Sequence, residues 1–233
     1  MESRVKSLTL LATALFLIYL LLTGKILLLI AARFLWLIWL AAAGLVVTAL
    51  SYRTLDGEGP HGCRLTWSRL ALVLAPLALG ILTPAAPLGS GALANREIGT
   101  VFNTAPPLGS RSVRQATERR ETTILDWAIA FAEAQDPASF EGETADITGF
   151  AYQPDYLPQG MWTVNRFVIT CCVADAMPVG LVVRTDDKAP PPNDQWVRVE
   201  GHFTTAVING ERVSVLVAET VTLVDLPRQP YIY

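Results

Sequence analysis

Histidine and cysteine are scarce in this chain of 233 residues, which holds two of the first and three of the second. A zinc-type centre wants three or four ligands from Cys, His and carboxylates, so with only His61 and His202 the ligand pool is thin. The short patterns that carry catalysis are missing as well. There is no Walker phosphate loop, no G-x-S-x-G elbow, no H-E-x-x-H helix, no C-x-x-C pair and no dinucleotide-binding glycine fingerprint. No enzymatic activity is expected, and no pattern demands a cofactor. Positive charge is sparse where it would matter for nucleic acid: from Glu121 onward six basic residues face sixteen acidic ones. A phosphate backbone meets a repulsive mean field there, so nucleic acid is not an expected partner.

Apolar residues are plentiful, and their distribution divides the chain. Residues 8–50 are almost unbroken Leu, Ala, Ile, Val and Trp, whereas residues 95–233 have the mixed composition of a water-soluble domain. Leu8–Leu22 runs fifteen residues without a charge and can be extended toward the ~20 needed to cross a bilayer. A signal peptide is the competing reading, since Arg4 and Lys6 precede the run, but no small-x-small cleavage site follows Leu22. Phe34–Leu50 is a second expected span, with Trp36 and Trp39 near one end and Tyr52 and Arg53 at the other. Between them Gly24–Arg33 reads as an interfacial or re-entrant turn. Leu65–Leu82 is a third expected span despite Arg69 and Pro76, stopped by Thr83-Pro84-Ala85-Ala86-Pro87.

The expected organisation is therefore a helical membrane anchor over 1–83, a tether rich in Pro, Gly and Arg over 84–120, and a helix plus β-barrel domain over 121–233. Arg4, Lys6, Arg53, Arg64 and Arg69 fall on one side of the three spans and Lys25, Arg33 and Arg96 on the other. The positive-inside rule then puts the amino terminus in the cytoplasm and the large domain outside it. Lys25, Arg33 and Arg69 all lie near span ends, where snorkelling explains them.

In the last part of the chain, Thr122 or Thr123 can cap a helix to about Ala134, with Ile124, Trp127, Ala128 and Phe131 on one stripe. Asp126 is expected to serve the helix rather than catalysis. Period-two patterning marks five strands: Thr144–Tyr152, Met161–Thr170, Val179–Arg184, Gln195–Val207 and Arg212–Val224. Asn209-Gly210 joins the last two as a type I′ hairpin turn, in which both central residues need positive φ. Asp186–Asp194 reads as a proline-rich surface loop. Five short strands with one packing helix fit a small barrel of the oligonucleotide/oligosaccharide-binding (OB) type, a two-sheet sandwich being the alternative, and Gly149 and Gly201 sit where a barrel needs bends.

The sharpest local feature is Cys171-Cys172-Val173-Ala174-Asp175-Ala176, leading into Met177-Pro178. Neighbouring side chains on a strand point to opposite faces, so the two thiols converge only if the backbone turns. Buried structural thiols, a metal or metalloid site, and a redox pair are the three readings, and the first leads because free Cys is among the most buried residue types. A soft metal ion would draw on Cys171, Cys172, Asp175 and His202, with Glu200 as a further candidate. Cys63 is expected to be unpaired, and His61 to be a solvated loop residue.

Gly149-Phe150-Ala151-Tyr152, Arg166 through Ala176 with the double cysteine, Pro178-Val179-Gly180-Leu181, and Trp196 through Gly201 together resemble an uncharacterised bacterial family. That family is described as the smaller subunit of a two-component membrane permease complex, with a carboxy-terminal domain of unknown function. The resemblance implies that Gly149, Arg166, Cys171, Cys172, Ala174, Asp175, Ala176, Gly180, Trp196 and Gly201 form a structural motif. It also implies a larger polytopic permease as partner in the lipid bilayer, and no catalytic residues. Ala31-Ala32-Arg33 and Ala151 depart from the family's pattern. Three readings of function follow: an accessory subunit of a membrane transport complex, a membrane-tethered metal- or thiol-handling protein using Cys171 and Cys172, and an envelope interaction module whose cysteines are structural.

Overall fold

The computed structural model describes residues 2–54, 67–83, 85–94, 123–134, 136–186 and 189–233. His61, Cys63, most of the expected 84–120 tether, and Asp187 and Lys188 of the proline-rich loop lie outside the described residues. The chain divides into two compact units: Met1–Pro87 with Cys171–Val173, and Leu88–Thr170 with Ala174–Tyr233.

In the first unit α1 (Glu2–Leu22) and α2 (Leu35–Thr54) are joined by the 3₁₀ turns Lys25–Leu28 and Ala32–Phe34. Gly24 ends α1 in the left-handed region at φ 71°, which glycine adopts without a Cβ penalty. The Ser7 hydroxyl, near the start of α1, donates to the Ala49 carbonyl near the end of α2 at 2.8 Å, so the helices run antiparallel. The buried residues of the two helices are mostly small, Ser7, Thr9, Ala14, Ala42 and Ala49, with Leu20 the one large side chain among them. Leu8, Leu15, Leu22, Trp36, Trp39, Leu40 and Val47 point away and are exposed. In α3 (Trp67–Leu82), a Cβ at Gly80 would stand 3.0 Å from the Phe16 ring, so the glycine lets α3 approach α1 closely.

Among the described residues one helical stretch, Ala32–Tyr52, is long and apolar enough to cross a membrane. Only 11% of its most apolar window is buried, whereas a core helix of a globular domain would be mostly covered. Ser7–Leu22 is a shorter apolar stretch.

The second unit is mainly β. It opens with α4 (Ser90–Ala94), then α5 (Ile124–Glu133), and six strands follow: β1 (Thr144–Tyr152), β2 (Met161–Val168), β3 (Met177–Arg184), β4 (Trp196–Ile208), β5 (Glu211–Leu223) and β6 (Tyr231–Ile232). The sheet order is β1-β4-β5-β3-β2-β6, with a further pairing of β1 to β2. Neighbours are antiparallel except β3 with β5 and β2 with β6. β1 serves two partners in succession, β4 along Thr144–Phe150 and β2 along Phe150–Tyr152. Gly149 stands at the changeover, where a Cβ would meet the Asn165 carbonyl oxygen at 2.5 Å and Val164 Cγ2 at 2.9 Å.

Five of the strands and α5 lie where patterning puts them, with ends shifted by one or two residues. β3 starts earlier than expected, at Met177, because Pro178 falls at the beginning of the strand. β5 pairs with β3 only from Val182 onward, so the missing N–H of Pro178 costs no ladder bond there. β6 escapes patterning because two residues cannot display a period. α5 has Thr123 as its cap, and Thr123 and Asp126 form a reciprocal capping box. Its covered face is Ile124, Trp127, Ile129 and Ala130, so Ala128 is less central than the stripe suggests. Trp127 reaches Phe203 at 4.7 Å between ring centroids, and Phe131 meets Phe140 at 4.9 Å and Phe203 at 5.1 Å, both edge-on. These rings join a core of Ile147, Trp162, Val164, Leu181, Val197, Val199 and Leu216. At the hairpin, Asn209 has φ 53° and Gly210 φ 85°, as a type I′ turn requires.

Part of the expected tether is ordered. Leu93 is buried, the Leu88 amide donates to the Tyr231 hydroxyl at 3.0 Å, and the Ser90 hydroxyl donates to Asp194 at 2.7 Å.

Candidate functional site

The double cysteine lies just beyond the end of β2. The Ile169 amide still donates to the Ile232 carbonyl, at 3.0 Å, and then the backbone leaves the sheet. Asp175 accepts from the Thr170 amide at 3.0 Å and so closes a loop around the 3₁₀ turn Val173–Asp175. That hydrogen bond is a local reason for an acid at this place in the motif.

Within the first unit Cys171–Val173 forms a short antiparallel ladder with Leu29–Ala31, the stretch linking the two 3₁₀ turns of the helical hairpin. The Ala31 amide donates to the Cys171 carbonyl and the Val173 amide to the Leu29 carbonyl, both at 3.0 Å, with Ile30 opposite Cys172. Cys171 stands at a bend and Cys172 in the bridge, so the chain turns at the double cysteine. Cys171 is exposed and Cys172 half-buried, and both thiols are free of disulfide. Neither thiol is fully buried, so the leading expectation of two buried thiols is not met.

Of the other residues that a soft metal ion would draw on, Asp175 is the loop-closing acceptor. His202 belongs to the second unit, where its Nδ1 lies 2.9 Å from Glu219 Oε1. Glu200 lies 3.1 Å from Arg198, which also pairs with Asp146. Among the described residues no group of three or more His, Cys, Asp and Glu is gathered around one point.

The remaining motif residues have packing roles. A Cβ on Gly180 would collide with the Asn165 Oδ1, and one on Gly201 with the Val217 carbonyl. Gly201 also sits at the register shift between Glu200 and Gly201 in the β4–β5 ladder. Ala176 is buried and Ala174 exposed. Arg166 donates through Nε to the Pro230 carbonyl at 3.1 Å and through Nη2 to the Gln229 carbonyl at 2.5 Å, and it lies 5.8 Å from the Trp196 ring centroid. Burial lowers the pKa of this guanidinium, with the neighbouring Tyr233 acting the other way. The arginine holds down the segment that leads into β6.

Two features were not foreseen. Asn165 is a buried amide in β2 that donates to the Thr163 hydroxyl at 2.8 Å and the Thr163 carbonyl at 3.0 Å. Its only sequence signal is a polar residue inside an apolar strand. In the first unit, the Lys25 ammonium meets the Tyr19 hydroxyl at 3.2 Å.

The motif glycines, the double cysteine and the Arg166–Trp196 pair fall in one stretch. Residues 129–233 match the DUF1980 C-terminal domain. The DUF1980 stretch thus covers all six strands and begins inside α5. A relative from Bacillus subtilis (strain 168), UPF0703 protein YcgQ, is 25% identical over 99 residues, which is 42% of this chain and 35% of the relative. The match thus spans about a third of that protein's length. A solved structure, the N-terminal domain of PriB protein from Thermoanaerobacter tencongensis, aligns with 35% of this chain and 96% of its own at 11% identity. Its TM-score of 0.25 is too low to carry an argument.

Proposed function

We propose that this protein is a multi-pass, membrane-anchored accessory subunit of a permease-type transport assembly, without catalysis of its own. One observation carries the reading. The α1–α2 hairpin puts small residues and the Ser7 hydroxyl at its internal contact and turns Leu, Trp and Val outward. Water would select the opposite arrangement. In a bilayer, helices associate through close approach of small residues and interhelical hydrogen bonds, and large apolar side chains face lipid. With α3 approaching at Gly80, this reading takes α1, α2 and α3 as the membrane helices among the described residues, too few to enclose a solute pathway alone. A larger polytopic partner is therefore required, as the resemblance to permease subunits implies.

In this reading the DUF1980 stretch is an OB-like barrel presented outside the cytoplasm. The support is the cyclic pairing of β1 with β2, β2 with β3, β3 in parallel with β5, β5 with β4 and β4 with β1. Such a barrel leaves no long free edge to aggregate, which suits a module on a membrane surface.

The test is a mild-detergent pull-down of the tagged protein from its native membranes. A larger membrane protein recovered at constant ratio supports the subunit reading, and recovery of this chain alone overturns it. Labelling a cysteine placed at exposed Val207, in a chain whose native cysteines are replaced by serine, in intact cells tests the orientation: modification only after lysis places the domain in the cytoplasm. A second reading, thiol handling at the membrane, is favoured by the exposed Cys171 in its fixed ladder. It predicts that C171S abolishes a cellular phenotype while leaving the pull-down unchanged.

A further inference from the structure

A cavity of about 690 Å³ opens in the first unit where the ends of α1 and α3 meet the turn after Gly24. Phe16, Leu20, Gly80 and Ile81 are among the residues that wall it, and Tyr19 and Lys25 stand at its polar end. Its volume lies within the ~300–1,000 Å³ usual for ligand sites. Among the described residues of the lining Lys25 alone is charged at neutral pH, so the cavity pairs apolar walls with a single positive charge.

That charge is left over from the helix. A lysine just past a helix end ordinarily serves the unpaired carbonyls there. Here the Tyr19 carbonyl already accepts from the Thr23 amide at 3.0 Å and from the Thr23 hydroxyl at 2.8 Å, and the Leu21 carbonyl from the Gly24 amide at 3.2 Å. The Lys25 ammonium turns instead to the Tyr19 hydroxyl and lies 5.5 Å from the ring centroid. It meets no carboxylate among the described residues.

The levels of these groups identify the occupant. Lys25 follows the end of α1 at Leu22, and Thr83 in the same lining follows the end of α3 at Leu82. Helix ends of this kind mark the head-group level, where Lys and Tyr anchor membrane helices. Phe16 lies six residues before Leu22, about 9 Å deeper at ~1.5 Å per residue. A cation at head-group height above an apolar trough of that depth matches a phosphate above its acyl chains.

The geometry points to a binding site for one anionic phospholipid, with its phosphate on Lys25 and Tyr19 and an acyl chain along Phe16, Leu20 and Ile81. This rests on the membrane reading above. The shared chemistry is a phosphate anion with no cation of its own beside it, unlike the choline-neutralised phosphate of phosphatidylcholine, and the source assigned is the lipid.

The experiment uses the full chain in detergent, titrated with dioleoylphosphatidylglycerol or dioleoylphosphatidylcholine and read by native mass spectrometry. Phosphatidylglycerol should bind preferentially. K25Q should weaken it about fivefold, the factor expected for one Lys near an anionic surface. I81W, which fills the exposed wall, should reduce binding of both lipids. Equal retention of the two lipids by the wild type, or no change in K25Q, overturns the site. Competition by inorganic phosphate at concentrations matching the lipid makes it a free-phosphate site and also overturns it. Carbonate extraction of wild type, K25Q and I81W separates the two failures: release of the wild type removes the membrane reading itself, whereas retention with no lipid preference removes only the site.

Discussion

Gly180 and Gly201 are held by steric exclusion rather than by any need for unusual φ. At Gly180 the space for a Cβ is taken by the buried Asn165 amide, which its bonds to Thr163 keep in place. At Gly201 it is taken by a backbone carbonyl, which has even less freedom to yield. G180A should destabilise the protein by about 1–3 kcal/mol, the usual cost of overpacking, and G201A by at least as much. Denaturant unfolding in detergent would measure both, and a neutral G201A would contradict the close approach of β5. The two thiols differ at this scale as well. N-ethylmaleimide on the native protein should modify Cys171 faster than Cys172, since access and thiolate character set the rate and Cys171 is the exposed one. Peptide mapping by mass spectrometry reads the difference, and equal rates would mean the Leu29–Ala31 ladder opens readily.

Among the elements, β6 depends most on side chains from elsewhere. Its two residues pair with β2, but the approach to it is fixed by Arg166 on the carbonyls of Gln229 and Pro230. Lysine cannot reproduce a planar fork that also stacks on Trp196. R166K should therefore cost about 1.5–3 kcal/mol and raise hydrogen exchange at Ile169, whose amide donates to Ile232. Tyr231 gives the same element a pH dependence. Burial raises its phenol pKa, partly offset by the hydrogen bond from the Leu88 amide. The unfolded state then releases this proton first, near its ordinary value of 10.0. Stability is thus complete below about pH 10 and falls as pH rises through the folded value. Melting temperature between about pH 8 and about pH 11 should decline less steeply in Y231F than in wild type. Burial also raises Tyr156 and Tyr233, so the decline is reduced rather than abolished.

At the scale of the molecule, the helical unit and the β unit obey opposite packing rules. The second unit hides its large side chains, such as Trp162, Phe150 and Phe203, whereas the first hides mostly alanine, serine and threonine, with Leu20 and Ile26, and shows most of its leucine and tryptophan. Ala49 is fully buried and its carbonyl accepts from Ser7, so A49L should wedge α1 from α2, lower resistance of the helical unit to detergent denaturation and leave the β unit's melting unchanged. Joint loss of both units would contradict an effect confined to the α1–α2 contact.

Sequence alone determined the division into an apolar helical part and a mainly β part, because run length and the periods 2 and 3.6 are local properties of the chain. It also determined the Asn209-Gly210 turn, since a type I′ turn needs two residues tolerant of positive φ whatever surrounds them. The position of α5 was legible for the same reason, through Thr123 and its apolar stripe. What only the tertiary structure decided was everything that depends on who stands opposite. The motif residues Gly180 and Gly201 acquire their reason from Asn165 and Val217, which are distant in sequence, and Arg166 from a segment about sixty residues away. Cys172 acquires a backbone partner at Ile30, about 140 residues away along the chain, and His202 is engaged with Glu219. Pair distances across the chain are fixed by strand register and helix contact, and neither is written in the spacing of residues along it.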